Sequence, residues 1–374
     1  MNFSRSDGLP ILLFALMINS GQVCADVWQQ TMSTSISTEF VTNPAMSPAY
    51  SGEGVSRTIL EPGYSLEGRF GENELKTGLS LQMARSSNTT LSPDRNSPSV
   101  FLEWMRQYST GEFSVSSKYT ETSTRNTAVD AAAQIPATST TASRTLSGRW
   151  SIQFSDRSTL LLSDTYESVF YKGTGTSGIY TDYASNASSM TFSYVWSEQI
   201  TPFLQLMHTD YEPTVSNGHS SFTDTILTGL NWRSSEALEG NVQIGSTIIK
   251  DEAASTQGGI TVRYREQRSA YSIAANRQIS PGGLGGFVTT DQANGSWSYE
   301  LNERSSTGLN MSWQKNHFIT DVISQTAGAW LQYDLDAFWR LRTYYQHNLI
   351  KAEGFENAIS NILGFTISYV HTDF

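Results

Sequence analysis

Cysteine is almost missing from this chain: Cys24 is the only one in 374 residues. That excludes disulfide frameworks, thiolate nucleophiles and cysteine metal sites. Long apolar runs are missing too. Nothing approaches the ~20 continuous apolar residues of a membrane helix, and Ile11 to Ile18 (ILLFALMI) is too short to span a bilayer. Positive charge is scarce: 24 Lys and Arg stand against 35 Asp and Glu, a formal net charge of −11. Without a basic run or a helix to carry one, nucleic acid is not an expected partner. The five histidines (His208, His219, His317, His347 and His371) are scattered, and none has metal-ligand spacing. No G-x-S-x-G serine motif occurs. No metal, cofactor or catalytic residue is therefore expected.

What is there begins with a secretory leader. Arg5 gives a weak positive start, Ile11 to Ile18 the apolar stretch, and Val23-Cys24-Ala25 a site with small residues at its key positions. Cleavage after Ala25 divides the chain into a signal peptide, 1–25, and one mature domain, 26–374. Acylation of Cys24 as a lipoprotein is the alternative, disfavoured because Val23 precedes the cysteine where a small residue is wanted.

From residue 26 onward the chain alternates apolar and polar in segments of roughly 10–15 residues, the mark of strands with two different faces. The breaks between segments run short, long, short, long. Short breaks include Gly71-Glu72-Asn73, Ser109-Thr110-Gly111, Ser155-Asp156-Arg157 and Asp334-Leu335-Asp336. Long ones include Ser86 to Asn96, Asn126 to Ala142, Glu212 to Ser221 and Ser280 to Gly286. Such a rhythm predicts an all-β, up-and-down antiparallel transmembrane barrel of about eighteen strands, with sixteen as second choice. An even count puts both termini on one side, here the periplasm of a bacterial outer membrane. A two-sheet sandwich would also alternate, but with its apolar face inside. The leader, the hairpins without crossovers and the closing aromatic favour the barrel. Mean hydropathy of −0.33 fits, since only every second strand residue faces lipid. The 17 Tyr and 9 Trp suit the headgroup level, where one end of the ring is dry and the other wet.

The faces can be assigned. Leu75, Leu79, Leu81 and Met83 alternate with Lys76, Gly78, Ser80 and Gln82; Trp150, Ile152 and Phe154 with Arg149, Ser151 and Gln153; Leu309, Met311 and Trp313 with Asn310, Ser312 and Gln314. Arg or Lys on a lipid face costs ~2–4 kcal/mol at mid-bilayer, so the polar set points inward. The candidate pore lining is Arg69, Arg149, Arg233, Arg263, Arg265, Arg340 and Arg342 with Lys76, and the acids Glu67, Glu103, Glu239, Glu300 and Asp334. A ring of arginines would favour anions; pairing with the acids would make them struts.

Phe374 closes the chain where outer-membrane barrels present an aromatic to the assembly machinery. The apolar parity of Phe365, Ile367 and Tyr369 runs on to His371 instead, so a register shift is expected near the end. Gly173 to Gly178 fits G-x-G-x-x-G but no helix follows, so it reads as a loop, and Pro281 to Gly286 as a turn. His208 and Asp210 share one strand face, which could orient an imidazole as a base; a polar rim position is the blander account.

In EFVTNP (Glu39 to Pro44), in its Trp-rich hairpins, and in Thr181-Asp182-Tyr183 with Tyr194-Val195-Trp196, the chain resembles the outer-membrane barrels associated with bacterial exopolysaccharide export and exosortase-type (PEP-CTERM) sorting. The resemblance spans nearly the whole mature chain. It implies a non-enzymatic conduit or assembly component for exopolysaccharide, acting with a periplasmic polysaccharide-export protein, and carries no functional residues. The residues alone leave a general or anion-preferring diffusion porin as the alternative, and a hydrolase using His208 and Asp210 as a third. Partners common to all three are outer-membrane lipid and the assembly machinery.

Overall fold

The computed structural model describes residues 27–48, 52–123, 140–173, 180–214, 219–317, 321–352, 354 and 356–372. They form eighteen strands: β1 (Val27–Val41), β2 (Val55–Phe70), β3 (Asn73–Ser86), β4 (Arg95–Tyr108), β5 (Gly111–Ser123), β6 (Thr140–Ser155), β7 (Ser158–Lys172), β8 (Tyr183–Tyr194) and β9 (Ile200–Pro213), then β10 (Ser221–Arg233), β11 (Leu238–Ile249), β12 (Ser255–Arg265), β13 (Ser269–Gly282), β14 (Gly286–Asn302), β15 (Ser305–His317), β16 (Val322–Asp334), β17 (Trp339–Ala352) and β18 (Ala358–Thr372). Each pairs antiparallel with its neighbours in sequence. β1 closes the sheet on β18, from Thr31 opposite Thr372 to Val41 opposite Ile362. Closure leaves the sheet no free edge. This is the transmembrane barrel expected from the rhythm of breaks.

Pairing registers carry the face assignment around the whole ring. Phe40, Leu60, Leu79, Trp150, Phe192, Ile244, Ile273, Met311 and Leu363 are all exposed on the outer wall. Near the short-turn rim this wall carries aromatic rings, among them Trp28, Tyr108, Phe154, Trp196, Tyr271 and Trp339. An apolar band edged by amphipathic rings is what a bilayer requires of a barrel's outer surface. Toward the long-loop rim the wall turns charged. Arg277 pairs with Asp291 at 2.5 Å, and Lys315 with Asp321 at 2.6 Å; the Lys315 contact holds the Asp321 carboxyl below its ordinary range.

Some boundaries differ from the expectation. The break at Ser280 to Gly286 is much tighter, because the β13–β14 ladder runs to Gly282 opposite Gly286. Thr140 to Ala142 belong to β6; residues 126–139 of that long break lie outside the described residues. So do the leader (1–25), Thr174 to Gly178 and Phe374. The register shift expected near the C-terminus is absent from the described part of β18, which holds one register on β1 through Thr372.

Candidate functional site: the barrel interior

The second face of every strand lines the interior. Registers place Arg69, Lys76, Arg149, Arg233, Arg263, Arg265, Arg340 and Arg342 there, with Glu67, Glu103, Glu239, Glu300 and Asp334. Most of the bases are matched to acids. Arg69 meets Glu67 at 3.0 Å and Glu74 at 3.4 Å, and Lys76 binds Glu74. Glu239 stands between Arg233, at 3.7 Å, and Arg263, at 3.6 Å. Arg340 meets Asp334 at 2.8 Å. Higher up, Arg57 binds Glu39, which also accepts from the Tyr344 hydroxyl. Arg149, Arg265 and Arg342 have no ion pair among the described residues. Arg342 instead lies over the Trp330 ring, 4.8 Å from its centroid. Trp330 fits because its cross-strand neighbour is Gly308, where any side chain would collide with the indole. The ion-paired Arg69, Arg233, Arg263 and Arg340 keep more than half of their side-chain surface exposed, so the short-turn half of the interior is open to water.

Charge is unevenly spread around this wall. On the interior face of β10 to β17 there are five arginines (233, 263, 265, 340, 342) against three acids (Glu239, Glu300, Asp334), a surplus of two positive charges. The β1 to β9 arc carries six bases against seven acids, including Lys118, Glu61, Glu112 and Glu167. One arc of the interior wall is therefore basic and the other close to balanced.

Toward the long-loop rim the interior is packed. Val41, Val55, Val169, Tyr183, Tyr211, Leu227, Ile249, Val288, Val322 and Ala358 are all buried, as are Thr209, Thr225, Thr247, Gln257 and Asn316 between them. Two elements near this rim meet across the opening. Phe287, at the tip of the β13–β14 hairpin, packs on the cluster of Val169, Tyr183 and Tyr211. The Thr181 amide, between β7 and β8, donates to the Gly283 carbonyl at 2.7 Å. Sequence reasoning did not anticipate this contact. Parity records only one side of it: Tyr171, Tyr183 and Tyr211 are aromatics on the polar parity of β7, β8 and β9, and so point inward.

His208 and Asp210 lie elsewhere. His208 Nδ1 sits 2.7 Å from Asp224, and Nε2 3.3 Å from Asp210. All three share the outer face with Leu206 and Ile226. A solute inside the barrel does not reach them. His208→Ala is expected to leave the conductance of the reconstituted protein unchanged; a changed conductance would mean that this outer-face pair acts on the pore.

No protein-family model matches the sequence, and no curated protein matches it. Solved structures do match. The outer membrane protein opdK from Pseudomonas aeruginosa aligns over 93% of this chain and 99% of its own, at 9% identity and a TM-score of 0.53. OpdO from the same organism aligns over 94% and 98%, at 8% and 0.52. OccAB4 of Acinetobacter baumannii covers 93% and 99%, at 9% and 0.50. At these identities the likeness is one of fold.

Proposed function

We propose that this protein is a diffusion channel of the bacterial outer membrane that prefers anions, with its short turns in the periplasm. The architecture shared with opdK, itself an outer membrane protein, supports the location. The surplus of arginine on the β10 to β17 arc carries the preference. Fixed charge on a low-dielectric wall raises the local concentration of the opposite ion. Among the described residues Arg265 and Arg342 are the arginines of that arc without a carboxylate partner, so their charge is the least cancelled.

Reversal potential across a salt gradient in a planar bilayer tests this reading. The parent protein should show anion selectivity. Arg265→Ala with Arg342→Ala should move the reversal potential toward that of a non-selective pore. A potential that does not move removes the arc as the source of selectivity. A conduit for exopolysaccharide opened by a periplasmic export protein is the second reading, favoured by the packed long-loop half. It predicts a purified barrel that stays silent until the partner is added.

A further inference from the structure

The glycine-rich segment Pro281 to Gly286 reads in the sequence as a plain turn, yet it takes part in a contact across the barrel opening. The β13–β14 hairpin stands six strands around the ring from β8, a third of the circumference, so the two are about 30 Å apart across an opening of this strand number. The wall beneath it is low: β12 has only 11 residues and β11 only 12. Over that low wall the tip meets the opposite side at three points. Thr181 N–H donates to the Gly283 carbonyl at 2.7 Å. Phe287 approaches Tyr211 with ring centroids 5.9 Å apart. Gly283 itself lies against the Tyr171 hydroxyl, where a Cβ would overlap the phenol. Tyr171 is held in place by stacking on Tyr180, centroids 4.8 Å apart at 18°.

We infer that the β13–β14 tip is an autoinhibitory strap: docked on Tyr171, Thr181 and Tyr211 it closes the long-loop end, and released it opens the channel. A side chain at position 283 would have to displace the Tyr171 phenol. Among the described residues the contact is made of a backbone hydrogen bond and ring packing, not of a continuous ladder like that of the wall. The strap deepens the channel reading and rests on it for its effect on conduction, but the docking itself can be read without any current.

Two measurements on the reconstituted full-length mature chain therefore run side by side. Hydrogen exchange should show the Thr181 amide protected in the parent protein. Gly283→Val should remove that protection by at least tenfold and raise the open probability in planar bilayers several-fold. Phe287→Ala, which removes the ring without crowding the seat, should do the same to a smaller degree and serves if Gly283→Val does not fold. A Thr181 amide already unprotected in the parent overturns the strap. So does a conducting Phe287→Ala whose open probability and exchange match the parent. Lost protection in a barrel that stays silent keeps the docked tip, refutes its control of conduction and counts against the channel reading.

Discussion

Ile244→Arg should cost the barrel ~2–4 kcal/mol of stability, whereas Gln243→Arg, one residue away, should fold as the parent does and conduct. Ile244 is 62% exposed on the outer wall, flanked in register by Thr228 and Gly258. It stands six residues above the start of β11 at Leu238, about 15 Å up a tilted strand and so near the middle of a ~25 Å apolar band. A guanidinium there has no partner in hydrocarbon. The Thr228 hydroxyl is committed to the Phe203 carbonyl at 3.2 Å, and glycine offers no side chain. The cost is ~2–4 kcal/mol, a large share of the stability of an ordinary domain. Gln243 faces the interior between Gly229 and Gly259, so an arginine there finds both room and water. The measurement is the fraction of heat-modifiable, folded protein after refolding into lipid vesicles, with urea titration of each variant. Equal stability for the two would mean that the exposed apolar wall does not face lipid.

The same parity explains how far the sequence could be read. A strand must place every second residue on one face, and a barrel in lipid must make one of those faces apolar. The alternation of Leu309, Met311 and Trp313 with Asn310, Ser312 and Gln314 is thus a direct record of inside and outside. Turn chemistry at Gly71 and Asp336 marked the ends, and eighteen strands followed from those marks. The His208 pair shows where parity was underused. His208 and Asp210 continue the face of Leu204 and Leu206, which already placed them on the outer wall. The matching of Arg233 and Arg263 to one Glu239 needed the cross-strand register as well, which sequence supplies only once the turn lengths are fixed. The contact across the long-loop end was the least legible. It joins residues near 180 to residues near 283, and no local pattern records a contact between loops a hundred residues apart. Glycines in a row are read as a turn whether or not something presses against them.

Gly111→Ala should be the most damaging single methyl in the short turns. Gly111 opens β5 and pairs with Tyr108 behind it and Ile152 across. Its φ is 154°, a region that side chains other than glycine rarely enter, and a Cβ would overlap the Ser151 carbonyl oxygen. The turn cannot swing away to relieve either problem, because Gln153 N–H donates to the Thr110 carbonyl at 2.7 Å and ties it to β6. Backbone strain of ~1–3 kcal/mol and overpacking of similar size then act together, giving an expected loss of about 3 kcal/mol or more. Gly71→Ala separates the two terms. Gly71 also has positive φ, 58°, but nothing lies within 4 Å of the Cβ it would gain. It should lose only the ~1–2 kcal/mol of a left-handed residue. Urea midpoints of the two variants in one lipid decide the matter. A Gly111→Ala barrel no weaker than Gly71→Ala would show that the β4–β5 turn yields at Ser151, and that the tie through Gln153 does not hold it.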